Sequence, residues 1–256
     1  MVRGAAPQIL VPLTVALALS AAGPAVAGET ACWFENGAIV APGVIADMAG
    51  DYVIDLSAPQ TLLHETKAQA GGYAQTRLTL SVRLAGQTVA DAPIVVRDLD
   101  SRGAGFATPI AGVIGADILD RYVLSLDFTP CRLRLERPGT SANPYGSGLA
   151  VTMIGGAPTV QTAASDGDHG LIGAFALDTA SNGGVRARGK GEAPRQRPIG
   201  TLSALSLDGV VYRGLKAVVA GDLPDGVVGA VGVDILSAYS LRLDPLAGRL
   251  WLTPTP

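Results

Sequence analysis

Residues Gly115–Leu135 read GADILDRYVLSLDFTPCRLRL, and residues Gly232–Leu252 read GVDILSAYSLRLDPLAGRLWL. The two stretches align without a gap at an offset of 232 − 115 = 117 residues, and 11 of 21 positions are identical. Unrelated segments of ordinary composition would share roughly one or two. The second half of the 256-residue chain therefore repeats the first. Each copy is preceded by an apolar strand that ends in an acid, Tyr52-Val-Ile-Asp55 and Phe175-Ala-Leu-Asp178. A duplication that supplies one carboxylate per half predicts a shared site on a pseudo-two-fold axis.

The elements around these stretches recur in the same order. An apolar strand enters an Asp turn (51–57; 173–180), and a polar, Gly-containing segment follows (69–75; 183–200). Alternating strands come next, Thr76–Leu84 and Thr201–Leu207, each turning through a Gly (Ala85-Gly86-Gln87; Asp208-Gly209) into Thr88–Val96 and Val210–Ala220. Period-two alternation with Gly turns predicts hairpins. Val113-Ile114-Gly115 and Ala230-Val231-Gly232, a short helix and a final hairpin close each unit. Leu149–Ala164 reads as the opening hairpin of the second half, with Glu29–Ile45 as its counterpart. The turn-rich stretch 138–148 (PGTSANPYGSG) divides the chain into lobes 28–137 and 149–256.

Composition sets the class. Hydrophobic residues make up 48% and charged residues 16%, which supplies a sizeable core and argues against disorder. A net charge of −3 gives no footprint for nucleic acid. With 33 Gly, 17 Pro and few helix-forming runs, strands and turns are favoured. At the N-terminus, Arg3, the apolar run Ile9–Ala22 and Ala25-Val26-Ala27 predict a signal peptide over residues 1–27. The alternative is a retained anchor, because Gly4–Gly28 carries no charge. Cleavage implies an exported chain, periplasmic or secreted, with no integral membrane segment. An oxidising compartment and an even count predict a disulfide between the only two cysteines, Cys32 and Cys131; two separate buried thiols are the alternative.

This order of motifs resembles the pepsin-like and retropepsin-like aspartic proteases. That family carries, in each half, an apolar strand ending in Asp-Thr-Gly and a later apolar-apolar-Gly flanking the Asp loop. Here the Asp stretches are Val53-Ile54-Asp55-Leu56-Ser57-Ala58 and Ala176-Leu177-Asp178-Thr179-Ala180-Ser181, and the flanking glycines are Gly115 and Gly232. The resemblance implies an all-β, two-lobed architecture of acid-protease β-barrels, with one short helix per lobe. It implies that Asp55 and Asp178 form the catalytic dyad of an endopeptidase. Two close carboxylates share one proton and activate water without a metal or cofactor. The implied partner is a peptide or protein in an inter-lobe cleft, and two lobes in one chain imply a monomer.

The departures are specific. Leu56 stands where the family has Thr, and Ser57 and Ala180 stand where it has Gly; Thr179 is retained. The family's Thr bonds to the opposite loop and its Gly permits close approach. These departures leave two readings open: an active endopeptidase, or a catalytically inactive, exported binder of peptides or proteins. Other acids read as structural. Asp117 and Asp234 precede short helices and are expected N-caps. Asp127 with Arg132, and Asp244 with Arg249, are expected cross-strand ion pairs, and Tyr122 and Tyr239 core-edge aromatics. Arg186, Arg188, Lys190, Arg195 and Arg197 read as a solvated loop, or as cations at the cleft rim that would lower a nearby carboxylate's pKa. Two histidines, His64 and His169, are too few for a metal site, and no GxSxG, HExxH, P-loop or GxGxxG occurs.

Overall fold

The computed structural model describes residues 28–140, 146–181, 183–188, 197–220 and 223–255. The expected signal peptide, part of the 138–148 linker, Lys190 and Arg195 lie outside these residues.

The first half contains β1 (Glu29–Ala31), β2 (Trp33–Glu35), β3 (Ala38–Ile45), β4 (Met48–Ile54), β5 (Thr61–His64), α1 (Glu65–Ala70), β6 (Arg77–Leu84), β7 (Gln87–Arg97), α2 (Asp100–Gly103), β8 (Ile110–Ile114), α3 (Ala116–Leu119), β9 (Val123–Phe128) and β10 (Cys131–Glu136). The second contains β11 (Leu149–Ile154), β12 (Ala157–Ser165), β13 (Gly170–Leu177), β14 (Val185–Arg188), β15 (Arg197–Leu207), β16 (Val210–Ala220), β17 (Val227–Val231), α4 (Val233–Leu236), β18 (Tyr239–Asp244) and β19 (Arg249–Pro254). The fold is all-β with four short helices. Besides the expected helix of each lobe (α3, α4), the first half carries α1 and α2.

Six strands of each half close into a barrel. The first runs β3-β4-β8-β5-β7-β6 and closes through β3–β6; the second runs β12-β13-β17-β14-β16-β15 and closes through β12–β15. Closure leaves no long exposed edge on either barrel. The hairpins form as the sequence predicts. Ala85 and Gly86 both take positive φ (47° and 72°), as do Asp208 and Gly209 (51° and 76°). That is the type I′ geometry that matches strand twist, and it sets Leu84 opposite Gln87 and Leu207 opposite Val210.

Six strands, β1-β10-β9-β18-β19-β11, join the barrels. At its centre β9 pairs antiparallel with β18, with Ser125 opposite Arg242. Since 242 − 125 = 117, the facing residues are the repeat's own equivalents, and the molecular two-fold axis passes between them. Arg242 Nη1 donates to Ser125 Oγ at 3.0 Å and to Glu136 Oε2 at 2.7 Å, tying the halves together. Cys32 and Cys131 form a disulfide that fastens the start of the first half to β10. Tyr122 and Tyr239 are buried. No helix among the described residues is long and apolar enough to cross a membrane.

Two structural expectations are corrected. Asp127 and Arg132 face each other across β9–β10, and Asp244 faces Arg249 across β18–β19. Their charges go elsewhere: Asp127 accepts the Ser240 hydroxyl, Arg132 approaches Glu29, and Asp244 accepts the Ala247 amide. The N-cap positions of α3 and α4 are Gly115 and Gly232, without side-chain caps. Asp117, the second residue of α3, instead accepts the Thr61 hydroxyl at 2.7 Å. Thr61 in turn accepts the Gly115 amide, so a three-residue relay occupies the place of the cap.

Candidate active site

The two Asp turns are built alike. β4 runs parallel to β8, with Ile54 opposite Ile114, and the Asp55 amide continues the ladder to the Ile114 carbonyl at 3.0 Å. β13 runs parallel to β17, with Leu177 opposite Val231, and the Asp178 amide bonds the Val231 carbonyl at 2.9 Å. Apolar residues buried on both faces drive these central parallel strands, and each chain leaves its strand at the acid.

The flanking glycines are required by proximity. A Cβ on Gly115 would lie 2.7 Å from the Gln60 carbonyl group, and one on Gly232 would lie 2.2 Å from the Gly183 carbonyl oxygen. Backbone lies against backbone at both places, and only Gly fits.

The turns meet across the axis through Thr179. Its hydroxyl donates to the Ile54 carbonyl at 2.7 Å and accepts the Leu56 amide at 3.1 Å, while its own carbonyl accepts the Ile39 amide at 3.0 Å. Leu56 cannot return this clasp. Its side chain is buried in the main core and does not line the cleft. Ser57 compensates in part for the glycine it replaces: its amide and hydroxyl both donate to Asp55 Oδ1, at 2.8 and 2.7 Å, joined by the Ala58 amide at 3.1 Å. Within its own turn, among the described residues, Asp178 Oδ1 accepts the Ala180 amide at 3.0 Å.

Both carboxyls are buried at the floor of one cleft of about 780 Å³ whose walls come from both barrels. Pro59, Gln60 and Phe106 line it from the first, Ser181, Leu223 and Pro224 from the second. Each acid also meets a guanidinium. Arg102 Nη2 contacts Asp55 Oδ2, and Arg186 Nη1 donates to Asp178 Oδ2 at 2.9 Å. The two cations are not repeat equivalents. Arg186 faces Ala230 and Val218 in β14, as Leu62 in β5 faces Val113 and Val95, and 230 − 113 = 117. Arg102 sits in the 98–109 connection between β7 and β8, 12 residues long, where the second half uses six (221–226). Two unrelated positions thus deliver one cation to each equivalent acid.

Asp178 is pushed above its ordinary value, first by burial and then by the negative charge of Asp55, with Arg186 pulling the other way. The expected solvated loop is corrected for the residues described. Arg186 and Arg188 lie on a strand, and Arg188 spends its guanidinium on the Val227, Leu223 and Pro224 carbonyls at 2.9, 2.6 and 2.6 Å. Arg186 does line the cleft and pulls Asp178 downward, but burial and the Asp55 charge outweigh it, so the expected lowering of the carboxylate is not the net result. Sequence reading missed Arg102 altogether. His64 lies away from the cleft: it caps α1 and pairs with Asp100 at 3.1 Å.

Two closed six-stranded barrels, related by a two-fold that brings one Asp turn from each into a common cleft, define a two-lobed acid-proteinase architecture. Among solved structures the chain is similar to the aspartic proteinase from Irpex lacteus, with a TM-score of 0.52 over 89% of this chain and 97% of that one. Sequence identity is 12%, so the likeness is one of fold. No family model and no curated protein sequence matches the chain.

Proposed function

We propose that this protein is an aspartic-type endopeptidase that hydrolyses extended peptides in the inter-lobe cleft, with Asp55 and Asp178 as its catalytic pair. The observation that carries this reading is that the repeat's two equivalent acids, Asp55 and Asp178, are both buried at one cleft between the barrels, where the Asp55 charge, added to burial, raises Asp178 against the pull of Arg186. Acids so related hold one proton between them. Asp178 keeps it, and Asp55 is the base. A water between the carboxyls gives a proton to Asp55 as its oxygen attacks the peptide carbonyl carbon, and Asp178 gives its proton to the carbonyl oxygen. The gem-diol then collapses. The carbon–nitrogen bond breaks, the nitrogen takes the proton from Asp55, and a diol hydroxyl returns one to Asp178. An acid and an amine leave, and both carboxyls regain their starting states. The step draws on no metal or organic cofactor.

Lobes 28–137 and 149–256 supply the two walls, and the peptide binds by strand-like backbone hydrogen bonds. The Cys32–Cys131 bond suits an oxidising compartment, and we place the protein there, exported and monomeric. A second reading, a peptide- or protein-binding relative without hydrolysis, is favoured by the guanidinium on each acid, since a paired cation holds a carboxylate ionised.

Cleavage of a mixed peptide library across pH 3–7, by the native chain and by Asp55→Asn and Asp178→Asn, separates them. Cleavage lost in both variants supports the peptidase. Equal residual cleavage in all three removes the pair as its cause, and peptide binding without cleavage by the native chain establishes the second reading.

A further inference from the structure

We infer that Arg102 is a specificity-determining residue that reads a carboxylate on the substrate, and that the incoming carboxylate releases Asp55 by taking its place on the guanidinium. This rests on the endopeptidase reading for its consequence in catalysis, though not for the binding event itself.

The cleft's charges come first. Among the described residues that line it, the ionisable ones are Asp55, Asp178, Arg97, Arg102 and Arg186. Three cations face two acids, one of which holds the shared proton, so the lining accepts further negative charge and disfavours a positive group.

The two ion pairs then differ in how firmly they are held. Arg186 projects from β14, which is hydrogen-bonded on both sides, and its side chain is 13% exposed. Arg102 projects from α2, one turn long with no buried residue and no side-chain cap at Leu99, and its side chain is 34% exposed. Arg102 is the cation that can turn.

Asp55 does not depend on it. Its Oδ1 keeps three donors of its own, the Ser57 amide, the Ser57 hydroxyl and the Ala58 amide. When Arg102 leaves, the carboxylate stays anchored and Oδ2 becomes available as the base. A substrate carboxylate replaces one charge-assisted contact with another of the same kind. A neutral substrate must separate a pair with one deeply buried member and offer nothing in return, which is the costly direction. Selection for acidic peptides follows, expected at about a hundredfold over neutral ones.

The carboxylate has two possible sources, an Asp or Glu side chain beside the scissile bond or the free C-terminus of a short peptide. Three matched peptides distinguish them: one with internal Glu and an amidated C-terminus, one with Gln in its place and an amidated C-terminus, and the Gln peptide with a free C-terminus. Each is assayed with the native chain, Arg102→Met and Arg102→Lys, for cleavage and, on an Asp178→Asn background, for binding by fluorescence polarisation. The expected result is a preference of about a hundredfold for one carboxylated peptide over the neutral one in the native chain. It should collapse to within about threefold in Arg102→Met and survive in part in Arg102→Lys. Cleavage of the neutral peptide should rise in Arg102→Met, because Asp55 is uncovered.

Equal handling of all three peptides by the native chain, or a preference that persists in Arg102→Met, overturns the assignment even if cleavage is robust. Carboxylate-selective binding that depends on Arg102, with no cleavage of any peptide, supports the assignment and rejects the endopeptidase reading instead.

Discussion

The Thr179 hydroxyl sits between two backbone groups of the opposite lobe, giving its proton to the Ile54 carbonyl and taking one from the Leu56 amide. One side chain of the second half thereby satisfies two buried polar groups that flank Asp55 in the first. Thr179→Val keeps the shape and removes both bonds. Leaving a buried donor and acceptor unsatisfied costs more than the bonds contribute in net terms, so the loss should be about 2 kcal/mol in urea unfolding. Thr179→Ser, which keeps the hydroxyl, should recover most of it.

Arg186 is the partner of a nearly inaccessible acid. Arg186→Leu restores the residue type that the first half carries at the matching place, Leu62, and leaves Asp178 without its cation. Stripping one partner from a buried pair should destabilise the protein by about 3 kcal/mol at neutral pH.

The pH dependence has a definite sign. Folding already raises Asp178 above its ordinary 3.8, so the protonated acid is the form the fold prefers. Its contribution is fully present below that value and is lost as pH rises through the higher folded value. Removing Arg186 raises Asp178 further. The deficit of Arg186→Leu should therefore be largest at neutral pH and shrink as the solution is acidified toward pH 4. Paired urea melts from pH 4 to 8 check this; a deficit that stays constant across the range would show that Asp178 is not the group responsible.

Gly232 abuts the Gly183 carbonyl oxygen so closely that an added methyl would stand 2.2 Å away. Gly232→Ala must displace the backbone beside Asp178. We expect a stability loss of about 2 kcal/mol from overpacking. A shift of the acid by about 1 Å would reduce any turnover about a hundredfold. Gly170→Ala, with no atom within 4 Å of the new methyl and no positive φ, should change neither, and thermal melts with peptide-cleavage rates compare the two.

The parts of the molecule visible in the sequence are those that repeat. The Asp turns, the apolar-apolar-Gly strands and the Gly-containing hairpins each appear twice, so one copy checks the other. What escaped notice breaks the repeat. Arg102 lies in a connection with six residues more than its counterpart, and nothing in the second half points to it. Arg186 lies in VRAR, whose alternation of apolar and charged residues carried a strand signal. Flanking glycines and neighbouring basic residues made that short strand read as a loop. The acids at Asp117 and Asp127 chose partners from strands distant in sequence, Thr61 and Ser240, and local spacing holds no record of such neighbours.

The facing of Ser125 and Arg242 has an evolutionary corollary. A seam centred on one residue and its own counterpart, with Leu124 facing Leu243 on one side and Leu126 facing Leu241 on the other, is self-complementary, so a single ancestral half could zip to a second copy of itself with an unchanged register. Fusing two such genes required no new contact. It freed the halves to diverge, and each could then recruit a cation for its acid from a different part of the chain.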